Sequence, residues 1–431
     1  MDIDLAPCPG LLLVWKCRMK FHEAVTLFDF EGIPLIGNYD TGYVIGLTQE
    51  AEKLCRKALV RDVDDSEFAR TDPLILQHLV KGGFFSRGKT VEAIETVYFH
   101  VTQRCNLSCR GCYSDNENRN KLKDPPFEFV CEGMKRLSDF GVKQLVVSGG
   151  EPFLRADLPN IIQFAKTVCD FDSVVILTNG TRIKEESLYQ MRPYIDCISV
   201  SIDGYSENCI AYIRGKQRFG ELVKAIKLIK SAEISAHVIP TIHAKNIGDI
   251  GKYIKLANDL GATINFSLLS CKPKAKMDDL ILSENDQIKL SHEIFKDNKE
   301  NQFSFIDGPV GLNLSVKQSC GAGTQTVSIA ADGGVYPCHM FQCEELCFGN
   351  IFEKTLGEIV STERYQSFCA SKKESCMYDC EFGPLCGGGC RARAFMESQD
   401  ISAVDPYCTM IKTFYFLFGK KIKNQIKTED F

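Results

Sequence analysis

Six short runs of apolar and β-branched residues recur between residues 95 and 270: TVYFHVT, QLVVSGG, SVVILTNGT, CISVSIDG, AHVIPTIH and TINFSLL. Between them lie segments with apolar residues at helical spacing, such as LPNIIQFAKTV, ELVKAIKLIKSA and IGDIGKYIKLANDLGA. Strand–helix alternation of this kind implies parallel pairing with right-handed crossovers. The predicted class is therefore α/β, with six repeats building a partial (β/α)6 TIM barrel whose chemistry sits at the C-terminal ends of the strands. The first ninety residues follow another order. Strand-like runs LLLVW, EAVTLFDF and GYVIGL precede a helix from about Gln49 to Leu59, capped by Thr48. A second helix opens at TDPLILQHLVKGG, with Asp72 as cap, Pro73 at the first helical position and Gly82–Gly83 at its end. Strands followed by helices of this size predict a small winged-helix-like module, with Trp15 in its core. After residue 315 the texture changes again, to cysteine and glycine. Three units are expected: 1–90, 91–310 and 311–431.

Composition narrows the classes. The chain has 431 residues, 44% hydrophobic and 25% charged, which is globular and large enough for several domains. Its start, MDIDLAPCPG, is acidic, the apolar LLLVW that follows is too short for a signal peptide, and no run of roughly 18 apolar residues occurs. The expectation is a soluble cytoplasmic protein with no membrane partner. In a reducing compartment 21 cysteines, an odd number, read as metal ligands, catalytic groups or small buried residues before disulfides. A net charge of −5 with no basic block argues against nucleic acid, as do the 11 basic and 13 acidic residues of segment 1–90.

The loop after the first barrel strand reads VTQRCNLSCRGCYSD and spaces Cys105, Cys109 and Cys112 as C-x3-C-x2-C. Three thiolates from one loop suit three corners of a cubane iron–sulfur cluster, leaving one iron without a protein ligand. Structural zinc wants four ligands and would need a distant fourth. Together with SGGEP at the end of the second strand, CNLSCRGCY resembles the radical S-adenosylmethionine (radical SAM) enzymes, over roughly residues 95–270 and beyond. The resemblance implies that these three cysteines bind a [4Fe–4S] cluster whose open iron chelates S-adenosylmethionine. It implies too that Gly149, Gly150, Glu151 and Pro152 contact the methionyl amino group. An electron from the cluster would then release a 5′-deoxyadenosyl radical, which removes a hydrogen atom from the substrate. Where the family often has an aromatic residue before the third cysteine, this chain has Gly111, with Tyr113 following as the adenine contact. SVSIDG resembles the family's ribose-binding stretch, which makes Ser201 and Asp203 candidates, and Arg214 in YIRG is a candidate for the methionyl carboxylate. Their plain alternatives are a capped strand end, a turn residue and a surface arginine, and Asn179 in LTNGT reads equally as a turn residue or a ligand.

Among the C-terminal cysteines, those at 320, 338, 376, 380, 386, 390 and 408 follow a recognisable order, with Gly333 between the first two. This order resembles the SPASM extension of radical SAM enzymes, except that Cys376 and Cys380 stand one residue further apart than usual. The resemblance implies two auxiliary [4Fe–4S] clusters, hence three clusters in all. Cys320, Cys338 and Cys390 would hold one, and Cys376, Cys380, Cys386 and Cys408 the other. The fourth cysteine that sulfatase-maturing members carry shortly after the first is replaced here by GAGTQT. The first auxiliary cluster therefore either has an open iron or is completed by Cys343, Cys347 or Cys369. Most other cysteines, such as Cys131, Cys169, Cys197 and Cys209, read as small buried residues.

These resemblances imply a maturase of a ribosomally made precursor peptide, whose leader the N-terminal module binds as an added strand in the manner of precursor-recognition elements. Thioether crosslinking of a peptide cysteine is the product that best uses an open auxiliary iron. Carbon–carbon crosslinking, epimerisation and decarboxylation need the same radical. Sulfatase maturation is disfavoured because His339 stands where those members carry a catalytic Asp after the cysteine; His339 is read as a proton acceptor or a supporting hydrogen-bonding residue. A flavodoxin or ferredoxin is the implied electron donor. The contrasting class is a cluster-bearing protein that binds a peptide, or senses redox state, without turnover.

Overall fold

The computed structural model describes residues 18–85, 94–115, 119–215, 218–270, 277–297, 314–371, 376 and 379–429. It divides into two compact units, 1–90 and 91–431. LLLVW, Trp15 and the expected boundary near 310 lie outside the described residues.

In the first unit, β1 (Val25–Phe30), β2 (Ile33–Asn38) and β3 (Tyr43–Gly46) form an antiparallel sheet in that order. Three helices follow: α1 (Gln49–Val60), α2 (Asp65–Thr71) and α3 (Pro73–Lys81). Thr48 caps α1 by accepting from Ala51 N, and Asp72 caps α3 by accepting from Leu74 N. Strand β2 and helix α2 are additions to the sequence expectation. Pro34 and Gly37 interrupt the β-branched signal of the first, and the second is one short turn pair that buries only Phe68. The core packs Phe21, Ile36, Leu54, Phe68, Leu79 and Phe84.

The second unit is built on a parallel sheet. Its strands are β4 (Thr96–Thr102), β5 (Gln144–Gly149), β6 (Ser173–Thr178), β7 (Cys197–Ile202) and β8 (Ser235–Ile242). Strand β8 carries two short pieces on its far side, β9 (Thr263–Ile264) and β10 (Ser267–Leu268), into which the expected sixth strand is divided by Asn265–Phe266. The crossover helices are α4 (Phe127–Phe140), α5 (Leu158–Thr167), α6 (Glu185–Met191), α7 (Phe219–Ser231) and α8 (Ile250–Asp259). Each strand encloses one face, and the alternation of apolar residues follows it: Val97, Phe99, Leu145, Val147, Ile176, Ile198 and Val200 are fully enclosed.

Helix α9 (Glu284–Asp297) leads into the cysteine-rich segment. There β11 (Thr326–Ile329) adds to the free side of β4 in parallel, and β12 (Val335–Tyr336) turns back along it. The C-terminal segment is thus an extension of the barrel sheet. Beyond it come α10 (Leu356–Val360), α11 (Glu363–Ala370), α12 (Gly383–Cys386), α13 (Arg391–Ser398) and α14 (Cys408–Glu429). Helix α14 returns to α9, where Ser291 Oγ donates to Met410 O at 2.7 Å and Gln287 Nε2 to Pro406 O at 2.9 Å. No helix among the described residues is long and apolar enough to cross a membrane.

Candidate active site

The strand ends meet at a cavity of about 220 Å³. Cys105, Cys109 and Cys112 line it, as do Gly149 and Gly150 from the end of β5, Ser201 from β7 and Arg214. His339 and Met340 reach it from the C-terminal segment, because β11 and β12 carry that segment to the β4 edge.

The cysteine loop is fixed by its backbone. Thr102 O accepts from Gly150 N at 2.8 Å and Arg104 O from Glu151 N at 2.8 Å, so the loop and the glycine turn form one ledge. Glycine is required there. Gly149 has φ +138, and a Cβ would lie 2.3 Å from Thr102 O; a Cβ at Gly150 would lie 2.2 Å from Arg104 O. Asn120 Oδ1 accepts from Cys105 N at 2.8 Å, and Ile213 O from Arg110 N at 2.8 Å. Gly111, at φ +66, faces Met277, whose Cε would stand 2.3 Å from any Cβ, so an aromatic residue before the third cysteine would meet a strained backbone and have to displace the end of the Met277 side chain.

Burial pushes the Cys105 and Cys109 thiols up, Cys109 to about 11. The lost hydration opposes their ionisation, and a bound metal would offset it. Arg119 supplies positive charge at the third cysteine, with Nη2 3.2 Å from Cys112 Sγ and 2.9 Å from Ser114 Oγ. The donor set fits a three-cysteine cluster, and the glycine ledge leaves open space beside it for a small ligand. Among the described residues no group of three or more His, Cys, Asp or Glu is spaced for a single metal ion.

Glu151 is fully buried and stands behind the cavity wall. Its Oε1 accepts from Thr178 Oγ1 at 2.7 Å and Phe153 N at 3.1 Å, and its Oε2 from Asn179 N at 2.8 Å. Burial raises its pKa against these donors. In this structure the carboxylate joins the ends of β5 and β6. Pro152 opens the short 3₁₀ turn that follows. Asp203 likewise holds another group: it pairs with the Arg214 guanidinium and accepts from Arg214 N at 2.9 Å, so Arg214 is a cavity residue with a fixed partner. Asn179 lines the cavity and donates to Asn106 Oδ1 at 3.0 Å.

Tyr113 is a cavity residue too, with its hydroxyl 3.3 Å from Ser148 Oγ and its ring 5.0 Å from that of His339, edge to face. His339 stacks on Tyr98 at 4.4 Å, and its Nδ1 has no hydrogen-bond partner among the described residues. The surrounding protein holds its pKa down at about 4, so the imidazole is neutral.

In the C-terminal segment, Cys338 and Cys390 pack in one apolar cluster with Phe341, Phe368 and Met396. Burial, with repulsion from Cys390 and Cys320, raises the Cys338 thiol. Burial raises Cys408, and Cys380 and Cys376 add to it; burial also pushes Cys386 up to about 12, with Cys408 among its like-charged neighbours. Beside both Cys390 and Cys386 lies Asp405, a residue the sequence did not single out. It accepts from Cys390 N at 2.6 Å and Tyr407 N at 3.0 Å, and from Arg393 Nη2 at 2.7 Å. Nothing local marks it, because two of these partners, Cys390 and Arg393, lie 15 and 12 residues away along the chain.

Comparison with known proteins follows the same division. Residues 99–257 match the model of the radical SAM superfamily, and residues 320–381 that of the SPASM iron–sulfur cluster-binding domain. The antilisterial bacteriocin subtilosin biosynthesis protein AlbA of Bacillus subtilis is 28% identical over 302 residues, 67% of this chain and 66% of AlbA. An AdoMet-dependent heme synthase of Methanosarcina barkeri is 26% identical, over 72% of this chain and 95% of that protein. Streptococcus suis SuiB bound to precursor peptide SuiA shares the fold, with a TM-score of 0.60 at 15% identity over 91% of this chain and all of that one. The chain carries a radical SAM domain followed by an iron–sulfur cluster-binding SPASM domain.

Proposed function

We propose that the chain matures a ribosomally made precursor peptide by removing a hydrogen atom from one of its residues and joining that carbon to a cysteine of the same peptide as a thioether. One observation carries the reading: the cavity beside Cys105, Cys109 and Cys112 is completed by His339 and Met340 of the SPASM segment, so both cysteine-bearing parts border the same space. Relatives named for subtilosin biosynthesis and for a bound precursor peptide support a peptide substrate. Bound there, the cluster and S-adenosylmethionine supply a 5′-deoxyadenosyl radical, and the auxiliary clusters an acceptor for the electron that C–S bond formation releases.

The chain's own residues do the rest. The Gly149–Gly150 ledge and Arg214 orient the methionyl group, Ser201 and Tyr113 border the nucleoside, and Asp203 holds Arg214 in place. When the C–H hydrogen leaves on 5′-deoxyadenosine, the peptide S–H must also lose its proton. His339, which lines the cavity with its Nδ1 unpartnered among the described residues, is placed to accept it. In the N-terminal unit, the outer edge of β3 receives the leader as a further strand. A flavodoxin or ferredoxin supplies the first electron. Three [4Fe–4S] clusters complete the enzyme.

The test is the accurate mass of a small cysteine-containing peptide encoded beside the gene, after anaerobic coexpression. Loss of two hydrogens per crosslink with those thiols blocked to alkylation supports the thioether. The same loss with free thiols would mean carbon–carbon crosslinking, and unchanged mass with deuterium from heavy water, epimerisation. No 5′-deoxyadenosine in the presence of peptide would leave a binding protein. The heme synthase relative makes a porphyrin the contrasting substrate, read by the same deoxyadenosine assay.

A further inference from the structure

The loop after Cys320, GAGTQT, contains no cysteine, yet a sulfur lies against it. Cys369, on the last turn of α11, places Sγ 3.5 Å from Gly323 O, and a Cβ built on Gly323 would stand 3.1 Å from that sulfur. One turn earlier on the same helix face, Tyr365 OH donates to the same carbonyl at 2.6 Å. Helix α11 is therefore fastened to the loop by two side chains at positions i and i+4.

Two more ties lead to the other cysteines of the set. Gly323 N donates to Pro337 O at 2.9 Å, which joins this loop to the residue before Cys338. Arg391, the residue after Cys390, donates to Phe368 O at 2.9 Å and lies with its guanidinium carbon 4.0 Å from the Phe368 ring centre. Phe368 precedes Cys369. Cys338, Cys369 and Cys390 accordingly pack into one cluster of side chains. Cys347 lies elsewhere, with Sγ 3.5 Å from Gly349 O.

We propose that Cys369 is the fourth protein ligand of the auxiliary cluster held by Cys320, Cys338 and Cys390. The inference rests on the SPASM reading of this segment. It moves the missing ligand from the loop after the first cysteine to a helix nearly fifty residues further on, where sequence spacing gives no sign of it. No iron of that cluster is then left for a substrate thiolate, so the thiol must meet both its carbon and its proton acceptor in the cavity around His339.

The experiment uses the full chain with Cys105, Cys109 and Cys112 changed to Ala, reconstituted anaerobically, so that only auxiliary clusters remain. About eight irons per chain are expected for two Cys-ligated cubanes. Isotope-labelled cyanide is added to the reduced protein and its hyperfine coupling to the cluster is read. Cys369→Ala should gain a labelled ligand that the parent lacks, or lose about four irons with its circular dichroism retained. Cys343→Ala and Cys347→Ala should match the parent. If Cys369→Ala disturbs folding, Cys369→Ser, which retains an oxygen ligand, should keep the iron and shift the g values. A Cys369→Ala spectrum identical to the parent, with the iron intact, overturns the proposal and leaves the SPASM reading standing. A parent with no iron overturns both.

Discussion

Replacing Gly150 with Ala tests whether the ledge between cysteine loop and glycine turn sets the geometry of the site. The added methyl would stand 2.2 Å from Arg104 O, 2.5 Å from Arg104 C and 3.0 Å from Cys105 Cβ. Two of these atoms are backbone, so no rotamer change relieves the overlap. Non-bonded atoms rest at roughly 3.5 Å, and the two chain segments must therefore part by about 1 Å. Parting them stretches the bonds from Gly150 N to Thr102 O and from Glu151 N to Arg104 O, both 2.8 Å. At about 1 kcal/mol each, the loss of stability is about 2 kcal/mol. The catalytic cost is larger. Displacement by about 1 Å of groups that must align costs on the order of 10²-fold in rate, and Cys105 moves with Arg104. Gly141→Ala is the control: its φ of +106 is strained for alanine, but nothing lies within 4 Å of the new methyl. It should lose about 1 kcal/mol and keep its rate. The measurement is 5′-deoxyadenosine released per chain under a chemical reductant, with iron content and anaerobic urea unfolding in parallel. If Gly150→Ala forms deoxyadenosine within about twofold of the parent at full iron, the ledge does not position the cysteine loop.

Glu151→Gln places an amide NH₂ against the donors Thr178 Oγ1, Phe153 N or Asn179 N and should cost about 1–3 kcal/mol in urea unfolding; full stability with weakened S-adenosylmethionine binding alone would show the carboxylate to be a ligand instead. Asp405→Asn leaves Arg393, 2% exposed, without its buried counter-charge, and should cost about 3–5 kcal/mol; a loss below about 1 kcal/mol would mean the pair does not hold the two cysteine sets. His100 is fully buried beside Gln342, and burial, helped by His339 and Arg119, holds its pKa at about 3. The folded state therefore stays neutral where the unfolded chain takes up a proton. Its contribution is complete above the ordinary histidine range and falls as pH drops from about 6.5 towards 3, by up to about 1.4 kcal/mol per pH unit. His100→Gln should flatten the stability profile between pH 6.5 and 4.5, measured by urea unfolding; an unchanged slope would assign the acid sensitivity to other groups.

The cysteine triplet, the glycine turn and the barrel strands were legible because each is written in adjacent residues. A loop of three cysteines carries its own spacing, and a strand with one enclosed face carries its own apolar alternation. What the sequence hid is distributed. Glu151 sits within a recognisable motif, but that its carboxylate ties β6 to β5 depends on Thr178 and Asn179, one crossover away. Arg214 read as a ligand or a surface arginine, and only the return of Asp203 beneath it shows it fixed at the cavity. The same holds most strongly for the C-terminal segment. Cysteine order there suggests which residues share a cluster, but it cannot show that α11 folds back over the Cys320 loop, because that contact is made by Tyr365, Gly323 and Arg391 across intervals of 42 and 23 residues. A ligand set assembled from three separate elements is specified by how those elements pack, so a cysteine inside a helix with no motif around it can stand in the place that a motif leaves empty.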